Sequence, residues 1–309
     1  MLKSRRTFLA HSALAVGALS LSLPAVAGST SSNRRPRQRP VGIQLYSLGD
    51  AVATDTASVL AQLASFGYEE LEAVTYETLA PSALRRYVRD AGLKLRSVHL
   101  EFSGEHDVGK LFDTAHQLGV DHVVSSVLSP SPSIDSGTFV PMTGDLTADD
   151  FRRIAERANH IGEQARRAGL QYAYHNHNFE FRKLGYGKIG YDILLRETDP
   201  RLVKFEADCG WMTAAGADPV AYLSHNPGRY RAIHVKDFDK AGFSTTLDET
   251  SLGHVAELGL GVVDYPPVLR AAEQSGVQYL FVEHDPPGGV PIPMEEVERE
   301  GRYLKALVS

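Results

Sequence analysis

Five short runs of this chain end on side chains that bind cations or move protons. They are Ser97-Val98-His99-Leu100-Glu101, Tyr174-His175-Asn176-His177-Asn178-Phe179-Glu180, Phe205-Glu206-Ala207-Asp208-Cys209-Gly210-Trp211, Ile233-His234-Val235-Lys236-Asp237 and Phe281-Val282-Glu283-His284-Asp285. Each run mixes the apolar or β-branched residues of a buried strand with polar, ionisable ones near its end. Residues two apart on a strand share a face, which aligns His175 with His177, Glu206 with Asp208, and His234 with Lys236. Carboxylates and imidazoles brought to one axis from adjacent strands would repel one another or lie buried without partners. A divalent cation with mixed nitrogen and oxygen ligands removes that conflict. His175, Asp208, His234 and Glu283 stand at successive strand ends and form the set expected to hold one ion.

Each residue also has an ordinary structural reading. A histidine at a strand end is commonly a hydrogen-bonded core residue. Glu283 could pair with Lys236, Asp208 could cap the helix that follows it, and Glu206 reads as a partner of Lys204 or Arg231. The metal reading rests on the set.

The elements that must position these residues alternate along the chain. Strands are expected at Val41–Tyr46, Glu69–Val74, Leu95–Leu100, His122–Val127, Gln171–His175, Val203–Ala207, Ala232–Val235 and Tyr279–Glu283. Amphipathic stretches at Thr54–Ser65, Pro81–Ala91, Val108–Leu118, Thr147–Ala168, Tyr191–Glu197, Pro219–Ser224, Tyr265–Gln274 and Met294–Leu307 read as helices. Ser82 and Asp145 are expected caps, and Gly67, Gly92, Gly119, Gly169 and Gly276 stand where helices terminate in the left-handed conformation. Alternating β and α units imply a parallel sheet with right-handed crossovers. Eight units predict a (β/α)8 TIM barrel in a single domain over residues 40–309, with chemistry at the carboxyl ends of its strands. An open doubly wound sheet would show a Gly-rich phosphate turn after its first strand, and Tyr46-Ser47-Leu48-Gly49-Asp50 is not one. Insertions at Ser129–Asp145 and Asp239–Gly261 follow strands and belong to the same face.

Ahead of the barrel, Ser4-Arg5-Arg6-Thr7-Phe8-Leu9 is a twin-arginine pattern, followed by an uncharged run to Leu23 and by Ala25-Val26-Ala27. Residues 1–27 therefore read as an export signal cleaved after Ala27, too short in its apolar part to remain as a span. The destination is periplasmic or secreted. Residues 28–39, rich in Ser, Arg and Pro, read as a disordered linker. The signal and linker carry seven of the positive charges, so a net charge of −6 for the whole becomes −13 for the folded part. Such a body repels a phosphate backbone and argues against nucleic acid as a partner. Cys209 is the only cysteine, which excludes an internal disulfide. The pattern is silent on oligomeric state, and a homo-oligomer is compatible with it.

Gly42-Ile43-Gln44-Leu45-Tyr46-Ser47, Tyr174-His175-Asn176-His177, Asp208-Cys209-Gly210-Trp211, His234-Val235-Lys236-Asp237 and Gly259-Leu260-Gly261-Val262-Val263-Asp264 resemble the xylose-isomerase-like TIM barrel superfamily, in its sugar phosphate isomerase/epimerase branch. In related ketose epimerases a Glu, an Asp, a His and a Glu hold one divalent ion, usually Mn²⁺. The last three fall on Asp208, His234 and Glu283. The first falls on His175, so an imidazole replaces a carboxylate that would also move a proton. The resemblance implies Mn²⁺ first, with Co²⁺, Zn²⁺ or Mg²⁺ as alternatives. It implies a metal-stabilised enediolate formed when a base removes a proton beside a carbonyl. Glu283 or His177 is the expected base, with Glu180 as another source of the missing one, and Lys236 an electrostatic helper. Tyr46, Glu72, His99 and Trp211 are expected to line the substrate cavity.

The leading expectation is an isomerase or epimerase of a non-phosphorylated sugar or keto-sugar, since phosphosugars are kept inside cells. A lyase or hydratase that eliminates beside a keto group is the enzymatic alternative. A non-catalytic sugar-binding protein is the alternative of another class.

Overall fold

A computed structural model describes residues 39–102, 107–131, 146–285 and 290–309. Eight parallel strands close into a barrel: β1 (Gly42–Gln44), β2 (Glu70–Ala73), β3 (Lys94–His99), β4 (His122–Ser125), β5 (Gln171–His175), β6 (Val203–Asp208), β7 (Tyr230–Val235) and β8 (Tyr279–Val282). Each pairs with its neighbours in chain order, and β8 pairs with β1 to complete the ring. All eight expected strands are present, with no end moved by more than two residues. The closure follows from burial. The strands are covered by helices outside and fill the barrel inside, so β2 and β4 are buried at every residue rather than at alternate ones.

Helices over Thr56–Phe66, Pro81–Asp90, Val108–Leu118, Ala148–Arg167, Gly190–Glu197, Pro219–His225, Tyr265–Ser275 and Met294–Leu307 form the outer layer. The helix Ala148–Arg167 begins in a capping box. Thr147 accepts from the amide of Asp150, whose carboxylate accepts from the amide of Thr147. Ser82 is not a cap: its helix is started by Ala80 with Pro81 in the first turn, because proline's fixed φ and missing N–H suit that position. The expected cap Asp145 lies outside the described residues. Gly67, Gly119 and Gly276 end their helices at positive φ, whereas Gly92 and Gly169 follow one residue beyond the cap.

Two register features aim the site residues. The pairing of β6 with β7 slips by one residue between Phe205 and Glu206, which sets Asp208 beside His234, while β5 places His175 beside Glu206. Directly after β6 the chain turns into a short helix, Cys209–Ala214, which the periodicity did not mark although the capping reading of Asp208 implied a helix there. Gly210 permits this turn, since a Cβ there would stand 2.7 Å from the carbonyl oxygen of Lys236.

The insertion after β7 is anchored by one side chain. The Asp237 carboxylate accepts from the amides of Phe238, Gly259, Gly261 and Val263. Residues Asp237–Phe238 and Val255–Ala256 form a two-stranded antiparallel ribbon at its base. The other insertion falls largely outside the described residues. So do the expected signal and nearly all of the expected linker. Arg39, counted as the linker's last residue, instead donates to the carbonyl of Val277 at 2.8 Å, because its guanidinium finds a carbonyl within reach. Among the described residues no helix is long and apolar enough to cross a membrane.

Candidate active site

Two layers of polar side chains fill the carboxyl end of the barrel. The upper layer contains His175 at the end of β5, Asp208 at the end of β6, His234 on β7 and Glu283 just after β8. One donor atom from each lies within 4.8 Å of the others, and all four residues are buried. Asp208 Oδ2 stands 3.9 Å from His175 Nε2 and 3.9 Å from His234 Nδ1, and His234 Nδ1 is 2.7 Å from Glu283 Oε2. The capping reading of Asp208 also holds, through its other oxygen: Oδ1 accepts from the amide of Trp211 at 2.8 Å. The pairing of Glu283 with Lys236 holds too, at 2.7 Å.

Lys236 is buried among three carboxylates, at 3.0 Å from Asp208, 2.7 Å from Glu283 and 2.5 Å from Asp285. Burial works against its charge, but Asp208, Asp285 and Glu283 outweigh it and hold the ammonium well above the usual lysine range.

The lower layer is Glu72, His99 and Glu206. Glu206 Oε2 is 2.9 Å from His99 Nε2, 3.2 Å from His175 Nδ1 and 3.1 Å from His234 Nε2. Glu72 accepts from Ser97 Oγ at 2.5 Å, Gln44 Nε2 at 2.9 Å and His234 Nε2 at 2.6 Å. Against burial, Glu72 and then the hydrogen bond to Glu206 push the His99 imidazole up to about 10. Glu206 is therefore no partner of Lys204 or Arg231. Lys204 instead reaches the carbonyl of Gly228, and Arg231 donates to His122. The signal that would have found Glu206 was already present: it lies two residues before Asp208 on the same inward face.

The expected cavity residues divide. Tyr46 is half exposed, and Asp285 and Glu283 add to burial in raising its phenol, which places it near the mouth. His99 is partly buried within the lower layer. Glu72 and Trp211 are fully buried, the indole packing on Phe238 at 4.7 Å between ring centres with its Nε1 unpartnered. Among the expected catalytic residues, His177 lies with its ring centre 5.0 Å from that of His175, and its buried Nδ1 has no hydrogen-bond partner. Burial, then His175 and Lys236, keep its pKa well below the ordinary value, so the ring is neutral. Glu180 is not aimed at the ion set. It accepts from the amide of His177 at 3.0 Å and the Tyr174 hydroxyl at 2.9 Å, and burial pushes its carboxyl up to about 8. A cavity of about 580 Å³ lined by Leu146, Asp149, Arg152, Arg182 and Tyr186 contains none of these residues. The convergent titratable groups, rather than that volume, locate the chemistry.

A closed eight-stranded barrel with its ionisable side chains gathered at the strands' carboxyl ends defines a TIM-barrel enzyme class. The chain belongs to the xylose isomerase-like TIM barrel family, which it matches over residues 60–307. An inosose dehydratase of Lacticaseibacillus casei is 27% identical over 203 residues, covering 61% of this chain and 62% of that protein. The chain thus spans about three-fifths of the length of this curated relative. A crystal structure of a sugar phosphate isomerase/epimerase from Parabacteroides distasonis superposes with a TM-score of 0.69 at 26% identity, over 93% of this chain and 100% of that one. A xylose isomerase-like TIM barrel protein from Mycobacterium smegmatis, in complex with magnesium, superposes with a TM-score of 0.58 at 17% identity over 87% and 96%, a likeness of fold.

Proposed function

We propose that this chain is a divalent-metal-dependent enzyme that removes a proton beside the carbonyl of a non-phosphorylated sugar or keto-sugar. The observation that carries the reading is the convergence of His175, Asp208, His234 and Glu283 beside the partnerless Nδ1 of His177.

The residues fit a cation. With bonds of about 2.1 Å, two donors on one ion stand roughly 3 to 4 Å apart, and Asp208 Oδ2 meets both imidazoles at 3.9 Å, its one close partner being the Lys236 ammonium at 3.0 Å. Glu72, Glu206, Asp208, Glu283 and Asp285 are all buried in or beside the barrel mouth, and Lys236 is the lysine buried among them. Leaving several such charges uncompensated costs several kcal/mol each. Two imidazoles and two carboxylates without thiolate suit Mn²⁺, Co²⁺ or Zn²⁺, with Mg²⁺ as a further alternative, and Mn²⁺ is placed first on the family resemblance. Bound there, the ion would supply Lewis-acid polarisation of a substrate carbonyl.

The side chains have separate tasks. Lys236, held charged, places a positive group where negative charge develops on substrate oxygen. His177 is neutral, its amide is fixed by Glu180, and Nδ1 is free to accept the proton. Glu283, adjoining both Lys236 and His234, is the alternative acceptor.

A specific observation favours elimination over two-base epimerisation. His175 stands where the epimerases carry a second carboxylate, so the bases are not paired across the site, and dehydratases are among the relatives. Incubating Mn²⁺-loaded protein with keto-sugars and glycosides in D₂O tests the reading. Deuterium uptake or a dehydrated product is expected, lost in His177→Ala or Glu283→Gln. Binding of the sugars without exchange at any carbon would leave only a sugar-binding protein.

We also propose that the twin-arginine segment exports the folded barrel. An exported protein whose N-terminus is near Gly28 is the expected result, and an exported chain beginning at Met1 would refute cleavage.

A further inference from the structure

Each of the two histidines in the upper layer has one ring nitrogen on the proposed ion side and the other against the lower carboxylate layer, but the two rings are inserted in opposite senses. His175 directs Nε2 toward Asp208 at 3.9 Å and Nδ1 toward Glu206 at 3.2 Å. His234 directs Nδ1 toward Asp208 at 3.9 Å and Glu283 at 2.7 Å, and Nε2 toward Glu72 at 2.6 Å and Glu206 at 3.1 Å.

We propose that Glu206 and Glu72 are positioning residues that hold the two histidines in opposite tautomers, presenting Nε2 of His175 and Nδ1 of His234 to the ion. The inference rests on the metal reading above and adds which nitrogen each ring offers, and why. A neutral imidazole has one N–H, and the carboxylate that accepts it leaves the other nitrogen's lone pair for a cation. The lower layer is built for accepting. Its contacts from Glu206 Oε2 to three rings lie between 2.9 and 3.2 Å, hydrogen-bond lengths gathered on one oxygen. Gln44, Ser97 and, through His99, Ser126 fix the two carboxylates in turn.

The arrangement also explains why the first position is a histidine. A glutamate there would bring a carboxylate against Glu206, where the imidazole now donates. His175 and Glu206 therefore act as a pair, and His175→Glu alone loses the ion. It regains the ion only when Glu206 is also made neutral.

The test uses the whole chain loaded with Zn²⁺, a diamagnetic probe, and long-range nitrogen–proton correlation spectra of its histidines. Spectra should show Nδ1–H for His175 and Nε2–H for His234, each with its other nitrogen shifted by metal. Both rings bound through the same nitrogen would overturn the inference while leaving the metal site intact, and absence of Zn²⁺ from the four residues would overturn both. Calorimetric titration supplies the second arm. Glu206→Gln should weaken Zn²⁺ binding roughly 10- to 100-fold, and the double variant His175→Glu/Glu206→Gln should bind more tightly than His175→Glu. Unchanged affinity in Glu206→Gln, or a double variant no better than the single, counts against the pairing.

Discussion

Asp208 shows how one side chain serves two masters: Oδ1 caps the helix Cys209–Ala214 while Oδ2 turns to the two imidazoles. Its position and residue type were legible in the sequence, since a capping Asp and a ligand Asp both belong at a strand end. Glu206 was legible by its spacing from Asp208, but the nearby Lys204 and Arg231 offered a simpler partner and drew the reading away from the site. Glu180 carries a pH dependence of its own. Its carboxyl is fully buried and pushed up to about 8 by desolvation, so the folded state binds a proton that the unfolded chain releases near pH 4.5. The stability it contributes is complete below the unfolded value and is lost as pH rises through about 8. Glu180→Gln should therefore flatten the fall in melting temperature between the ordinary carboxyl value of 4.5 and about pH 8. A variant whose melting temperature falls as steeply as the parent's would show that Glu180 is not the group titrating there.

The helix Cys209–Ala214 ties the β6 end to the β7 end. Its first turn carries the Asp208 cap and passes so close to β7 that a Cβ on Gly210 would meet Lys236 O at 2.7 Å and Lys236 Cβ at 2.9 Å. Gly210→Ala should push Asp208 and Lys236 apart. The cost expected for such overpacking is about 1 to 3 kcal/mol, with weakened metal binding as well. Gly253→Ala is the control, because nothing there approaches nearer than 3.4 Å. Equal effects of the two substitutions, read by thermal melts and metal titration, would remove the close approach as the explanation. Element existence was the most legible feature of the sequence: alternating apolar runs and amphipathic stretches marked all eight strands and the eight outer helices. What periodicity could not mark is this short helix, or the ribbon pinned by Asp237. Both are too brief to show a period and depend on contacts from distant residues.

At the scale of the molecule, the barrel is closed by backbone pairing and apolar burial, with no covalent link, since Cys209 is buried and unpaired. The proposed ion draws its ligands from β5, β6, β7 and the residue after β8, four neighbouring staves of eight, so its binding energy is also cohesion of half the ring. Without it, the carboxylates of the upper layer are compensated by Lys236 and by protons on His234, whose imidazole burial opposes but Glu206 and Glu283 raise well above its usual range. An ion bound only to the folded state stabilises it by about 2.7 kcal/mol when present at 100 times its dissociation constant. For a domain of this size each kcal/mol is worth about 2 to 4 °C in melting temperature, so chelation should lower the transition by roughly 5 to 10 °C and added Mn²⁺ should restore it. The same treatment should leave Asp208→Ala unmoved, because that variant lacks the oxygen facing both imidazoles. Calorimetric scans of the two proteins with and without chelator decide the matter. A parent transition indifferent to metal would mean that the four residues are held by their own hydrogen bonds and ion pairs, and that the barrel mouth is neutralised by Lys236 and protonated histidine instead.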